Sequence, residues 1–260
     1  MSSPRVLILR APGTNCDEET AHAFTLAGAT AERWHVNRLL ERPHAVAEFQ
    51  IVCIPGGFSY GDDVAAGRIF GNQIRHRLAD KLLDFRDAGK LILGICNGFQ
   101  VLLKTELLIS NTAAGPAATL AANDSGRFED RWVRLETSGS ECVLLSGIRE
   151  MELPVAHGEG KFVPRDAATL DALRDAGQVV LRYAIRANGA KPQAVAYPDN
   201  PNGAIDNIAG ICDATGQVFG LMPHPERFVD PTQHPTWTRG PKREAGDGLR
   251  VFQNAVRYFS

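Results

Sequence analysis

Over about the first hundred residues, short apolar runs alternate with amphipathic stretches. Val6–Leu9 is a continuous apolar run of strand length, and Glu18–Ala27 then follows a helical period up to Gly28. Ala31–His35 and Gln50–Ile54 predict two more strands, the second stopped by Pro55-Gly56-Gly57. Between Ile69 and Ala88, apolar residues stand at 69, 70, 74, 78, 82, 83 and 85, one face of a helix that ends at Gly89. Leu91–Ile95 predicts a further strand. Such alternation predicts an α/β fold, a mostly parallel central sheet with helices on both faces. Chemistry in sheets of this kind gathers at the carboxyl ends of the strands.

From about residue 128 the texture turns to β: Arg131–Glu136, Cys142–Leu145, Val179–Tyr183, Ala194–Ala196, Ile208–Ile211 and Val218–Met222. Turn residues separate these runs, notably Asn188-Gly189, Asp199-Asn200-Pro201-Asn202-Gly203 and Ala214-Thr215-Gly216. No linker divides the halves, so residues 1–260 are expected to form one domain. The polar segment 229–248, with three prolines and three glycines, is expected as a surface insertion before a final helix, Leu249 to Phe259.

The strand at Leu91 runs into Gly94-Ile95-Cys96-Asn97-Gly98 and then a helical run, Phe99–Lys104. That is a nucleophile elbow with cysteine in place of serine. The flanking glycines allow a turn too tight for side chains, and the helix N-terminus favours the thiolate. Cys96 is therefore the candidate nucleophile. Two other stretches suit it. His224, in Met222-Pro223-His224-Pro225-Glu226-Arg227, is the natural general base, and Glu226 can orient the imidazole because Pro223 and Pro225 enforce an extended chain in which positions i and i+2 point the same way. Pro55-Gly56-Gly57-Phe58-Ser59-Tyr60-Gly61-Asp62-Asp63 has glycines enough to aim free N–H groups at an oxyanion. The expected oxyanion donors are the amides of Gly57 and Asn97. A phosphate cradle is disfavoured, since the loop has no Lys followed by Ser or Thr.

Composition narrows the class. A formal net charge of −2 argues against nucleic acid as the main partner, and no apolar stretch is long enough to span a bilayer. No signal peptide is expected. Five widely spaced cysteines (16, 53, 96, 142, 212), with no C-x-x-C pair, suit reduced thiols in the cytoplasm, and no cluster has metal-ligand spacing.

Together these stretches resemble the class I, triad-type glutamine amidotransferases. The closer resemblance is to the glutaminase subunits of phosphoribosylformylglycinamidine synthase. It rests on Pro12-Gly13-Thr14-Asn15-Cys16-Asp17, on the loop from Gly56 to Asp62 and on the elbow through Gln100. Arg127-Phe128-Glu129, Pro201-Asn202-Gly203 and the Met222–Arg227 stretch add to it. The resemblance implies a flavodoxin-like fold that hydrolyses L-glutamine through a Cys96 γ-glutamyl thioester, with His224 and Glu226 completing the triad. Ammonia would pass to a synthetase subunit that, with ATP and Mg and a small accessory subunit, converts formylglycinamide ribonucleotide to its amidine in purine biosynthesis. This chain itself would need no cofactor. The resemblance also implies that Gln100 and Phe58 help bind substrate, as do residues around Asn123–Phe128. The 229–248 insertion has no counterpart in the shortest family members.

Other residues have plainer readings. Cys53, Cys142 and Cys212 suit core positions; Cys16 lies on the active edge, with no chemistry that needs it. His157, in Ala156-His157-Gly158-Glu159-Gly160, is a rival base ranked below His224. His22, His35, His44, His76 and His234 read as solvated. A stand-alone cysteine hydrolase on the same fold, a peptidase or γ-glutamyl hydrolase, is the alternative enzyme, and a non-catalytic scaffold is the third reading. The glycine-rich loop is expected to sample many conformations until a partner fixes one.

Overall fold

A computed structural model of the chain describes residues 3–138, 142–185, 195–240 and 242–260. Its strands are β1 (Arg5–Arg10), β2 (Thr30–His35), β3 (Ile51–Ile54), β4 (Leu91–Ile95), β5 (Ala118–Ala121) and β6 (Glu129–Thr137). They continue as β7 (Glu150–His157), β8 (Lys161–Pro164), β9 (Val179–Ala184), β10 (Ile208–Cys212) and β11 (Val218–Leu221). The helices are α1 (Asp17–Leu26), α2 (Val36–Glu41), α3 (Arg68–Arg77), α4 (Ala79–Asp87), α5 (Asn97–Thr105), α6 (Ala167–Asp175) and α7 (Leu249–Arg257).

Nine strands form one sheet in the order β2-β1-β3-β4-β11-β10-β9-β6-β7, and β5 pairs with β8 separately. From β2 to β11 every pairing is parallel; from β11 to β7 every pairing is antiparallel. The parallel strands β3 and β4 are buried along their whole length, as continuous apolar runs should be. Helices α1 and α7 pack on each other, with Phe24 edge-on to Phe252 at 4.9 Å, while α3 packs on α5. At the middle of the sheet, β4 and β11 run side by side in register from Ile92↔Val218 to Ile95↔Leu221. Both carboxyl ends therefore emerge together. One leads to Cys96 and the other to His224.

Several elements depart from the sequence pattern. The predicted helix over 69–88 is two helices, broken at Leu78, where φ of −130° interrupts the turn. Val143–Leu145 is a 3-10 turn rather than a strand. Its carbonyls have a different partner: Asn254 of α7 donates to the carbonyls of Leu144 and Ser146 at 3.0 and 2.8 Å. Strand β7 was not expected, although its buried residues alternate; Pro154 masks it. Proline is tolerated there because β7 is an edge strand. Residues 195–196 of the expected strand at Ala194–Ala196 are irregular, and Ala194 and Asn188-Gly189 lie outside the described residues. Among the described residues, no helix is long and apolar enough to cross a membrane.

Candidate active site

Cys96 sits between β4 and α5 with φ 51° and ψ −105°, a left-handed backbone that an L-residue adopts only under tight constraint. The flanking glycines show why the turn admits no side chains. A Cβ on Gly98 would lie 1.9 Å from the Ile54 carbonyl oxygen, and one on Gly94 would lie 2.6 Å from that of Gly98. The amide of Cys96 donates to Leu221 O at 2.8 Å, which fixes the elbow to the end of β11. Its thiol faces Ala156 O, 3.7 Å away at the end of β7.

His224 follows β11 and is 1% exposed, as is Glu226. Its Nδ1 is 2.6 Å from Glu226 Oε1. The chain does not stay extended between them as the sequence suggested. It turns into a 3-10 loop at Pro225–Arg227, closed by Phe228 N donating to Pro225 O at 3.1 Å, and that turn delivers the carboxylate to the ring. Burial alone would depress the pKa of His224. The charge of Glu226, with the Cys96 sulfur, overrides burial and holds it well above the ordinary histidine value. The ring is therefore held toward its cationic form. Among the described residues Nε2 has no partner at hydrogen-bonding geometry, while the sulfurs of Cys16 and Cys96 lie close enough to act on its charge.

The glycine-rich loop is tied down. Tyr60 N donates to Pro12 O at 2.7 Å, Phe58 N to Gly13 O at 3.0 Å, and Ser59 N to Asn97 Oδ1 at 3.2 Å. Asn97 also donates from Nδ2 to Asp62 Oδ1 at 3.1 Å and to Gln100 Oε1 at 2.9 Å. One side chain thus joins loop, elbow and helix. The Gly57 amide takes no part in these ties. The Asn97 amide belongs to the first turn of α5, where intrahelical acceptors are lacking.

Gln100, expected at the substrate, is 5% exposed and engaged at both ends of its amide: its Nε2 donates to Glu159 O at 2.6 Å and its Oε1 accepts from Asn97. Phe58 is 46% exposed and faces Phe128 at 6.4 Å, so two aromatic rings stand at the rim of the loop. His157 ends β7 instead of lying in a loop, and it is buried. The groups that meet its ring nitrogens are neutral amides: Asn123 Oδ1 is 3.1 Å from Nδ1 and Asn202 Nδ2 is 3.5 Å from Nε2. Burial, then the charge of His224, lowers its pKa to about 4. His234, read as solvated, is buried against Trp132 and Phe228 at 4.4 and 5.5 Å.

The structure adds Cys16, which the sequence left without a role. Arg227 donates to its sulfur at 3.1 Å, and its backbone N donates to Gly56 O at 3.2 Å, so it anchors both the turn after His224 and the loop. Burial raises the Cys16 thiol, and the nearby His224 imidazole opposes that rise. Among the described residues, Cys16, His224 and Glu226 are the group whose potential ligand atoms all lie within 4.8 Å of one another. Cys16 is far from the other two in sequence, so no spacing could have revealed it. The Arg227 guanidinium already supplies a cation at that sulfur, which opposes a metal ion there.

The arrangement can attack an acyl carbon, move a proton through an oriented imidazole and offer amides to an oxyanion. A family model described as a CobB/CobQ-like glutamine amidotransferase domain matches residues 3–259. Phosphoribosylformylglycinamidine synthase subunit PurQ of Dehalococcoides mccartyi is 48% identical over 259 residues, covering 99% of this chain and 98% of that one. The like-named subunit of Methanococcus maripaludis is 42% identical over 269 residues, covering 99% and 98%. The solved structure of PurLQS from Thermotoga maritima matches with a TM-score of 0.74 at 30% identity and covers 100% of both chains. A glutamine amidotransferase from the same organism, 18% identical with a TM-score of 0.54, shares the fold over 99% of this chain and 97% of that one.

Proposed function

This chain belongs to the CobB/CobQ-like glutamine amidotransferase family and has its flavodoxin-like class I fold; from that premise we propose that it is the glutaminase subunit of a phosphoribosylformylglycinamidine synthase. It hydrolyses L-glutamine to glutamate and ammonia. The ammonia goes to a synthetase subunit, working with a small accessory subunit, that uses ATP and Mg to convert formylglycinamide ribonucleotide to its amidine in purine biosynthesis. The glutaminase half needs no cofactor of its own, since thiol, imidazole and amides supply every group that acyl transfer requires. Five free, buried cysteines suit a reducing compartment such as the cytoplasm.

One observation carries the assignment of roles: a buried imidazole, oriented by a carboxylate at 2.6 Å, follows the strand adjacent to the one that ends at Cys96. In the proposed sequence His224 takes the thiol proton, and Cys96 Sγ attacks the carboxamide carbon of glutamine. The amides of Gly57 and Asn97 stabilise the oxyanion. His224 then returns the proton to the departing nitrogen, so ammonia leaves and a γ-glutamyl thioester remains. Water, deprotonated by the same imidazole, cleaves the thioester; glutamate leaves and the thiol recovers its proton. Glu226 holds the tautomer and stabilises the imidazolium. Gln100, with both ends of its amide engaged, shapes the substrate's seat through Glu159 and Asn97 rather than as a free donor, and Phe58 borders the entrance.

The test is glutamate release from glutamine, measured for the chain alone and with the synthetase, accessory subunit, ATP and ribonucleotide. Turnover that rises at least tenfold in the complex, about 1.4 kcal/mol of transition-state stabilisation, is expected. Full activity without the partner would favour the stand-alone hydrolase instead. No thioester under any condition would favour a scaffold.

A further inference from the structure

His224 has a task in the proposed reaction; the second buried histidine beside Cys96 has none. We propose that His157 is a positioning residue, held as the neutral Nδ1–H tautomer by an amide cradle, and that it fixes the Ala156–Gly160 wall against which Cys96 and Gln100 rest. The kinetic consequence depends on the glutaminase reading above, whereas the tautomer does not.

Backbone groups of unambiguous polarity determine the tautomer. Asn123 Nδ2 donates to Arg127 O at 2.9 Å and His157 O at 2.8 Å, so its other terminus, Oδ1, is the acceptor. Gly160 N donates to that Oδ1 at 3.1 Å, and His157 Nδ1 lies 3.1 Å from it. A nitrogen facing an acceptor must carry the proton, so Nδ1 is the N–H. On the far side of the ring, Ala204 N donates to Asn202 Oδ1 at 3.0 Å, which leaves Asn202 Nδ2 as the donor. It donates to Gly160 O at 2.9 Å and Tyr183 OH at 3.0 Å, with Nε2 a longer third contact at 3.5 Å. Both Nδ2 hydrogens are spent on those two oxygens, so none is left for Nε2, yet a proton on Nε2 would aim one donor at another, and Nε2 stays bare.

The cradle is also closed sterically. A Cβ on Gly160 would lie 2.4 to 2.7 Å from three atoms of the His157 ring, so the wall folds back directly onto the imidazole. Titratable groups on the neighbouring elements do not overcome its burial. The charge of Glu129 on β6, in register with His157, favours the imidazolium, but that carboxylate also accepts from Ser125 at 2.7 Å and Arg131 at 2.5 Å, and burial outweighs it. Tyr183 of β9 reaches the cradle through Asn202, and the cation-favouring His224 repels a second positive charge.

Three carbonyls of the wall then have defined clients. Ala156 O faces the Cys96 thiol at 3.7 Å, Gly158 O accepts from Asn123 N at 2.9 Å, and Glu159 O accepts from Gln100 Nε2 at 2.6 Å. Deleting the imidazole removes the post around which all three are arranged. A core histidine that only filled space would leave kinetics unmoved.

The experiment combines nitrogen-15 NMR of histidine-labelled wild-type chain with kinetics of His157→Ala and His157→Asn in the reconstituted synthetase complex. One imidazole should show the Nδ1–H tautomer at neutral pH, disappear in both variants and stay neutral down to about pH 5, a unit above its midpoint of about 4. His157→Ala should lower kcat/KM by on the order of tenfold, mainly through KM, because displaced positioning groups cost that much or more. His157→Asn restores an N–H near the place of Nδ1–H and should recover to within about threefold of wild type. An Nε2–H tautomer or a cation at neutral pH would overturn the proposal, as would a folded His157→Ala with wild-type kinetics. If the wild-type complex shows no glutaminase activity, the function proposed above fails, and the tautomer alone decides here.

Discussion

The turn at His224 and the turn at His157 both close on Cys96 and both bury an imidazole, and they differ in what faces the ring. At His224 the neighbour is a carboxylate, Glu226 Oε1 at 2.6 Å; at His157 the neighbours are the side-chain amides of Asn123 and Asn202. Burial pushes both toward the neutral form. Only the carboxylate reverses that push. One histidine is thereby made able to accept and hold a proton beside a thiol, and the other is barred from doing so. In the proposed roles, the charge of the partner, and not the distance from Cys96, separates the base from the strut.

The largest effect expected from breaking this contrast is at Cys96, the proposed nucleophile on which both turns close. Cys96→Ala should lower glutamine hydrolysis by on the order of 10⁴-fold or more, since the residue that forms the intermediate is gone. Its fold should survive with a change below ~1 kcal/mol, measured by thermal melting, because a small side chain replaces a small one. Residual turnover above a few per cent would place the nucleophile elsewhere.

Next is the base. His224→Ala should reduce kcat by ~10²–10⁴-fold, and Glu226→Gln by less, because an imidazole without its orienting carboxylate can still take a proton. Equal losses at His224 and His157 would erase the distinction between the turns.

A smaller effect separates the histidines by the sign of their pH dependence. The folded pKa of His224 lies above the unfolded value. Its contribution is full below the unfolded pKa near 6.5 and is lost as pH rises through the folded one. For His157 the folded pKa of about 4 lies below 6.5, so between these values the unfolded chain binds more protons and stability falls as the medium is acidified. From pH 7 to pH 4, wild type should lose about 3 kcal/mol relative to His157→Asn, read by denaturant unfolding. A constant difference across that range would mean that His157 does not titrate in this window.

Legibility in the sequence follows the range of the interactions. The parallel half was readable because β3, β4 and the elbow are contiguous runs with glycines at fixed offsets. The pairing of His224 with Glu226 was likewise local, although a 3-10 turn, not an extended chain, brings it about. The cradle of His157 was not readable. It joins residues 34 and 45 positions apart, and Pro154 hid the strand that carries it. Cys16 was placed on the active edge but given no role for the same reason, since Arg227, its partner, lies 211 residues away. His234 looked solvated in a polar segment, yet the rings that cover it come in part from Trp132 on β6.

The central claim is that Cys96 is the nucleophile and that His224, not His157, activates it. An electrophilic glutamine analogue, followed by mass spectrometry of the peptides, tests this directly in the wild-type chain and three variants, with the synthetase present. The adduct should appear on Cys96 and on no other cysteine, vanish in Cys96→Ala, form at least tenfold more slowly in His224→Ala, and still form in His157→Ala. An adduct on Cys16, or labelling that needs His157 and not His224, would contradict the claim.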